Sequence, residues 1–346
     1  MTTSKTTRWS LTSATLVAIL LLSGCQSWFA AEPSGEPGET ERSVNQVSLV
    51  LDWFPNTNHT GIYVAEAMGW FDEVGIDLEI IQPGDGVGAT QMVAAGRVDF
   101  GIGHQEGVTL ARAEGIPVVS IAAIIQHNTS AFAALADSGI ETVEDFAGKR
   151  YGGWGTPMEE AVLRGMMEGV GADFADIEML TIGEQMNFFN SIGRNNDFQW
   201  IFYAWDGIAA GQRGIGLNLI FLGEENEALD YYTPVIITSE KKIADSSDLI
   251  SRFLEAVSRG YVYAIDSPEA AAEILLNAVP ELERELVIES QLWLVNQYQA
   301  EAPRWGEQRR VVWERFARWM VDNDLLDTVP EIEFAFSNAY LPDRQN

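Results

Sequence analysis

From Val47 onward, short apolar runs alternate with helical runs of about 10 to 15 residues, the pattern of parallel α/β units. The strand-like "VSLVLDW" is followed by a polar loop, the helical "TGIYVAEAMGWFDEVG" and a second strand, "IDLEIIQP". A second series runs from "GIETVEDFAGKRYGGWGTPMEEAVLRGMMEGVG" through "ADIEMLTIG" to "DFQWIFYAWDGIAAGQRGIGLNLIFLGE". At "DYYTPVIITSE" the chain makes another strand, and the helical stretches "DLISRFLEAVSRGYVYAID", "SPEAAAEILLNAV" and "ERELVIESQLWLVNQYQ" follow. This order predicts an α/β fold of two lobes. Lobe one takes residues 46–132 and a return over 231–346, lobe two takes 133–230, and two crossings form the hinge. A division into consecutive domains fits the same periodicity. With 346 residues, 47% of them hydrophobic, the chain can fill two cores. The crevice between such lobes, at the carboxyl ends of the parallel strands, is where a ligand is expected.

Residues 1–24 read as a lipoprotein signal peptide. Lys5 and Arg8 precede "TLVAILLLSGC", and the apolar stretch from Leu11 to Leu22 is shorter than the roughly 17 to 25 residues of a spanning helix. Cys25 is the only cysteine and lies where the lipid-bearing residue belongs; the alternative is a short membrane anchor with an incidental cysteine. A lone cysteine excludes an internal disulfide. Residues 25–45, rich in Pro, Gly, Ser and Glu, read as a flexible tether that holds the folded body off a membrane on its extracytoplasmic face.

The formal charge is -30, from 51 acidic and 21 basic residues, so no basic groove is available for nucleic acid. Only four of the basic residues are lysines. That balance fits a surface adapted to high salt, and equally an ordinary acidic exported protein.

Three stretches concentrate groups able to hold a ligand. After the first strand come Asp52, Trp53, Asn56, Asn58 and His59, which would suit a flat heterocycle with an amino group and ring nitrogens. Their other reading is a helix cap with Trp53 in the core. In "YGGWGTPMEEA", Gly152, Gly153 and Gly155 surround Trp154, while Thr156, Pro157 and Glu159 spell a capping box. Trp154 is left over as a stacking platform, and Glu160 could face the cleft or solvent. This is no phosphate loop, which needs a Lys after its glycines. In "FQWIFYAWDGIAA", alternation puts Tyr203 and Trp205 on one face and Asp206 just past the strand; "DYYTPV" adds Tyr231 and Tyr232 at the return crossing. Core packing is the competing account of all these aromatics.

Enzymatic readings fail on inventory. His59, His104 and His127 form no HExxH pattern, no GxSxG is present, and no thiol remains beyond Cys25. His104 ends another strand and could approach the same cleft as a neutral hydrogen-bonding group. No metal or cofactor is expected.

With these residues in view, the chain resembles the solute-binding lipoproteins of ABC transporters, in the family that also holds the yeast-type thiamine pyrimidine synthase. The likeness covers most of residues 47–342 and is most specific in "LDWFPNTNHTGIYVA", "YGGWGTPMEEA", "WIFYAWDGI" and "YYTPVIITSE", supported by "RWGEQRRVVWERFARWM". It implies a two-lobed periplasmic-binding fold of the second type, monomeric, working with a membrane permease and a cytoplasmic ATPase. The most similar branch binds N-formyl-4-amino-5-aminomethyl-2-methylpyrimidine. The resemblance implies Trp53 and Trp154 around the pyrimidine, Tyr203, Trp205, Tyr231 and Tyr232 on the cleft wall, Glu160 or Asp206 accepting from the amine, His59 and Asn58 at the ring or formyl group, and Asp52 and Thr156 alongside. Another heterocycle or nitrogenous compound, riboflavin-like or sulfonate-like, is the alternative, and a lipid-anchored sensor is a further one. The synthase branch needs a lysine for pyridoxal phosphate, a reactive histidine and a cysteine-rich motif; here Lys149, Lys241 and Lys242 are far from the opening motif and the cysteines are missing.

Overall fold

In the computed structural model the described residues are 44–84, 88–182 and 188–343. The expected signal peptide, Cys25 and all but the end of the tether lie outside them. Among the described residues no helix is long and apolar enough to cross a membrane.

Two five-stranded sheets organise the chain. The first contains β1 (Asn45–Val50), β2 (Ile76–Ile81), β3 (Phe100–Gly103), β4 (Val118–Ala123) and β10 (Val235–Ser239), in the order β2-β1-β3-β10-β4. The second contains β5 (Ser130–Leu135), β6 (Arg150–Gly153), β7 (Glu178–Thr181), β8 (Phe198–Phe202) and β9 (Leu217–Phe221), in the order β7-β6-β8-β5-β9. Each sheet has four strands that run in one direction and one strand that runs antiparallel to both its neighbours, β10 in the first and β5 in the second. The alternation in sequence has this cause: strands such as β4, buried at every residue, must be covered on both faces, and helices between parallel strands supply the cover. The chain leaves the first sheet after β4 and returns to it with β10, giving the mixed α/β, two-lobed architecture.

The two cores are separate where the sheets are covered and joined at the C-terminus. In lobe one, Phe100 stacks on Phe253 at 3.9 Å, against Phe71. In lobe two, Phe132 is ringed edge-on by Phe146, Tyr151, Phe198 and Trp200. The helix Arg310–Asp322 serves both: Val312, Trp313 and Ala317 pack with the first-sheet residues Val235 and Ile237, and Phe316, Trp319 and Met320 pack into the core of lobe two.

Helices Thr60–Ala67 and Glu240–Asp266 meet at bare backbone. A Cβ on Gly260 would fall 1.8 Å from the Gly61 carbonyl oxygen, so only glycine permits this approach. The contact sets Tyr261 directly beneath the loop that follows β1.

Candidate functional site

The loop after β1 is built around a buried histidine. Asn56 caps the turn Thr57–His59: its side chain accepts from Asn58 N at 2.9 Å, and its own N–H donates to His59 Nδ1 at 3.2 Å. Because Nδ1 accepts, the ring proton sits on Nε2, which donates to Asp52 Oδ1 at 2.8 Å. His59 is fully buried and both its nitrogens are used, so it orients Asp52. Asp52 keeps Oδ2, which lies 3.9 Å from His104 Nε2 at the end of β3. Burial raises the Asp52 carboxyl, but the hydrogen bond from His59 overcomes it and holds the group below its ordinary value. His104 is fixed in turn by Nδ1 to Thr233 Oγ1, 2.9 Å.

The C-terminal helices brace this loop from below. Tyr261 donates to the Asn58 carbonyl and Tyr298 to the Thr57 carbonyl, both at 2.6 Å, and Thr57 Oγ1 lies 2.6 Å from Ser290 Oγ. Trp53 and Phe54 rise from the braced loop, 46% and 62% exposed, in an edge-to-face pair.

At the end of β6 the capping box expected over Thr156 to Glu159 is present, with Pro157 opening the helix Pro157–Gly169. Glu159 is buried and takes four hydrogen bonds: Oε1 from the Tyr151 hydroxyl at 2.6 Å and Trp154 N at 2.9 Å, Oε2 from Thr156 N at 2.9 Å and the Thr156 hydroxyl at 3.0 Å. Gly153 is required beside it, since a Cβ there would lie 2.3 Å from Glu159 Oε1. Trp154 is half-buried, its ring 6.2 Å from that of Trp200. Glu160 lies on the exposed face and pairs with Arg164.

The third stretch departs from the expected alternation. β8 ends at Phe202, and Tyr203–Gly207 winds into one π-helical turn that leads into the helix Ile208–Gln212. Tyr203 and Trp205 therefore do not share a strand face. Trp205 packs among Tyr63, Ala272 and Val287 of lobe one, and Tyr203 lies 5.0 Å from the Trp293 ring. Burial pushes the Asp206 carboxyl up to about 6, against a backbone hydrogen bond at Phe202 and the charge of Arg213. The helix Arg284–Tyr298 thus touches both lobes, through Ser290 and Tyr298 on the β1 loop and through Trp293 on the π turn.

Tyr231 and Tyr232 are buried in the second passage between sheets. Tyr231 donates to Glu106 at 2.7 Å and stacks on Phe316, while the Tyr232 hydroxyl accepts from Arg309 N at 2.9 Å. The structure therefore groups Asp52, Trp53, Asn58 and His59 with His104, and Trp154 and Thr156 with Glu159. Tyr203 and Trp205 pack on the C-terminal helices, and Asp206 lies under the charge of Arg213. His104 is the addition that sequence placed at a strand end without making it a ligand group; pairing of β1 with β3 brings it to Asp52. Among the described residues no group of His, Cys, Asp and Glu could hold a metal ion.

The family model described as NMT1/THI5 like matches residues 56–271. The formylaminopyrimidine-binding protein of Halalkalibacterium halodurans is 26% identical over 338 residues, 93% of this chain and 96% of that protein. The 4-amino-5-hydroxymethyl-2-methylpyrimidine phosphate synthase of Legionella pneumophila is 27% identical, covering 86% of this chain and 93% of its own. Among solved structures, the alkanesulfonate-binding protein SsuA of Xanthomonas axonopodis pv. citri, bound to MOPS, superposes with a TM-score of 0.65 at 12% identity over 85% of this chain and 99% of that one, which shows a shared fold.

Proposed function

Because the chain belongs to the NMT1/THI5-like family, we propose that it is the solute-binding component of an ABC importer and captures a small heterocycle between its lobes, delivering it to a permease without changing a bond. The observation that carries the ligand reading is the free oxygen of Asp52 facing His104. A carboxylate that stays ionised beside a ring nitrogen accepts from an amino group and disfavours an anion. Trp53 and Trp154 would stack on the two faces of a flat ring, Asp52 and Asp206 would accept from its amine, and His104 with Asn58 would meet a ring nitrogen or formyl oxygen. The preferred ligand is N-formyl-4-amino-5-aminomethyl-2-methylpyrimidine. Closure of the lobes would strip water from these contacts and strengthen them. We place Cys25, lipid-bearing, as the anchor to the outer side of the membrane.

A second reading has more support from the comparisons: another small polar ligand, a riboflavin-like heterocycle or a sulfonate. The free oxygen of Asp52 faces a histidine rather than an arginine or lysine, which weighs against a sulfonate at that point. Native mass spectrometry of the protein with the formylaminopyrimidine, riboflavin and MOPS in separate samples tests the choice. A one-to-one complex with the pyrimidine, constant in mass over time, supports the preferred ligand. Binding of MOPS or riboflavin alone moves the assignment to the second reading, and a product mass would replace transport with catalysis.

A further inference from the structure

The remaining histidine sits where the chain passes between the sheets. His127 lies in the first passage, residues 124–129, and Asp230 in the second, residues 222–234. His127 Nδ1 is 2.8 Å from Asp230 Oδ2, and Nε2 is 2.9 Å from Glu301 Oε2, on the segment between the last two long helices. A carboxylate only accepts, and a neutral imidazole has one N–H to give. Two such contacts therefore require both nitrogens to donate, which makes the ring a cation in this geometry.

The surroundings match that charge. A cavity of about 230 Å³ opens beside the ring, lined by the carboxylates of Glu227, Asp230 and Glu301, by Arg309 and Arg315, and by Tyr232. Arg315 pairs with Glu227 and donates to the Asp230 carbonyl at 3.3 Å, and the Arg309 guanidinium lies 3.7 Å from Glu301 Oε1. With the ring charged the acids and cations balance; with it neutral one negative charge is left over. Asn128 holds the two passages together independently, donating from its backbone N to Asp230 Oδ1 at 2.9 Å and from its amide to the Leu229 carbonyl at 2.8 Å. Glu301 has no such second tie to either passage among the described hydrogen bonds, so it is the partner released first.

We propose that His127 is a proton-operated latch at the hinge: charged, it ties both interlobe passages to the C-terminal segment and fixes the angle between the lobes; neutral, it releases Glu301 and the angle loosens. The latch is independent of what the cleft binds. The Asp230 hydrogen bond, opposed by partial burial and reinforced by Glu301, raises the imidazole from 6.5 to about 9. A raised histidine contributes fully below its unfolded value, so the latch is complete below about pH 6.5 and lost as pH rises through about 9.

The test uses the full chain with Cys25→Ala, which removes the only native thiol, and spin labels on cysteines at the exposed positions Glu168 and Glu255, one in each lobe. Interlobe distances are measured at pH 7 and pH 10, alongside imidazole NMR of the three histidines. The latch predicts one ring titrating near 9, absent in His127→Gln, with a narrow distance distribution at pH 7 that broadens at pH 10. His127→Gln should be broad at both, and His127→Arg, which keeps two donors and the charge, narrow at both. A His127 midpoint near 6.5, distances that do not change with pH or with His127→Gln, or broadening at pH 10 that persists in His127→Arg would each overturn it.

Discussion

Replacing Glu159 by Gln separates the support of the Trp154 loop from the loop itself. Each carboxylate oxygen receives two donors, one of them a backbone N–H: Trp154 at Oε1 and Thr156 at Oε2. A glutamine has one oxygen, so its NH₂ must face one of these pairs. The Tyr151 or Thr156 hydroxyl can turn to accept; the backbone N–H cannot. One buried donor is stranded whichever way the amide lies, costing about 1–3 kcal/mol. The two surviving bonds lose charge assistance worth about 1 kcal/mol each, and relief from burying a carboxylate returns part of the sum. The net expectation is a loss of about 2–4 kcal/mol, read by urea denaturation with tryptophan fluorescence, together with weaker ligand binding in the folded variant. Glu160→Gln is the matched control. It carries the same chemical change one residue along, on an exposed group paired with Arg164, and should move stability by no more than about 0.5 kcal/mol. Equal stability of the two variants would refute the argument that Glu159 holds the loop.

Trp154→Ala should weaken ligand binding by about 1–4 kcal/mol, roughly fivefold to several hundredfold in Kd by calorimetry; unchanged affinity in a folded protein would remove Trp154 from the site. Tyr298→Phe removes one of the two donors to the buried Thr57 carbonyl, the other being Thr60 N–H, and should cost about 0.5–1.5 kcal/mol of stability while loosening the β1 loop, seen as faster amide hydrogen exchange over residues 52–59. Unaltered exchange there would mean that the brace is dispensable. The Asp206 carboxyl, raised from 3.8 to about 6, holds in the folded state a proton the unfolded chain has lost. Raising the pH between about 4 and 6 therefore removes stability in the wild type and not in Asp206→Asn, and parallel pH profiles in urea denaturation would contradict this.

What could be read from sequence was local. The strand-to-helix alternation is imposed by sheets buried on both faces, and it anticipated the two-lobed α/β architecture. The capping box of Thr156 and Glu159 spans three residues and needs no tertiary knowledge. The same spacing could not reveal that Glu159 also reaches Tyr151 and Trp154, which makes it the support of the whole turn. At β8 the alternation of Tyr203 and Trp205 misled, because packing against the C-terminal helices converts the strand's continuation into a π turn. The brace under the β1 loop was invisible for a different reason. Tyr261 and Tyr298 lie 203 and 241 residues from the carbonyls they hold, and in sequence they are merely two apolar-face positions of long helices.

That distant brace explains how a polar loop can be kept ready for a ligand. Asp52 must stay ionised and keep one oxygen free, yet its surroundings are dry enough to raise it. His59 resolves the conflict by spending its proton on the other oxygen, and it can do so only while Asn56 occupies Nδ1. The turn that carries Asn56 and His59 is in turn fixed through the carbonyls of Thr57 and Asn58. Among the described residues, the helix Arg284–Tyr298 reaches this turn at Thr57 alone, through Tyr298 and Ser290. Trp293 of the same helix meets Tyr203 across the lobes, so the helix that braces the loop of Asp52 is also the one on which the π turn rests.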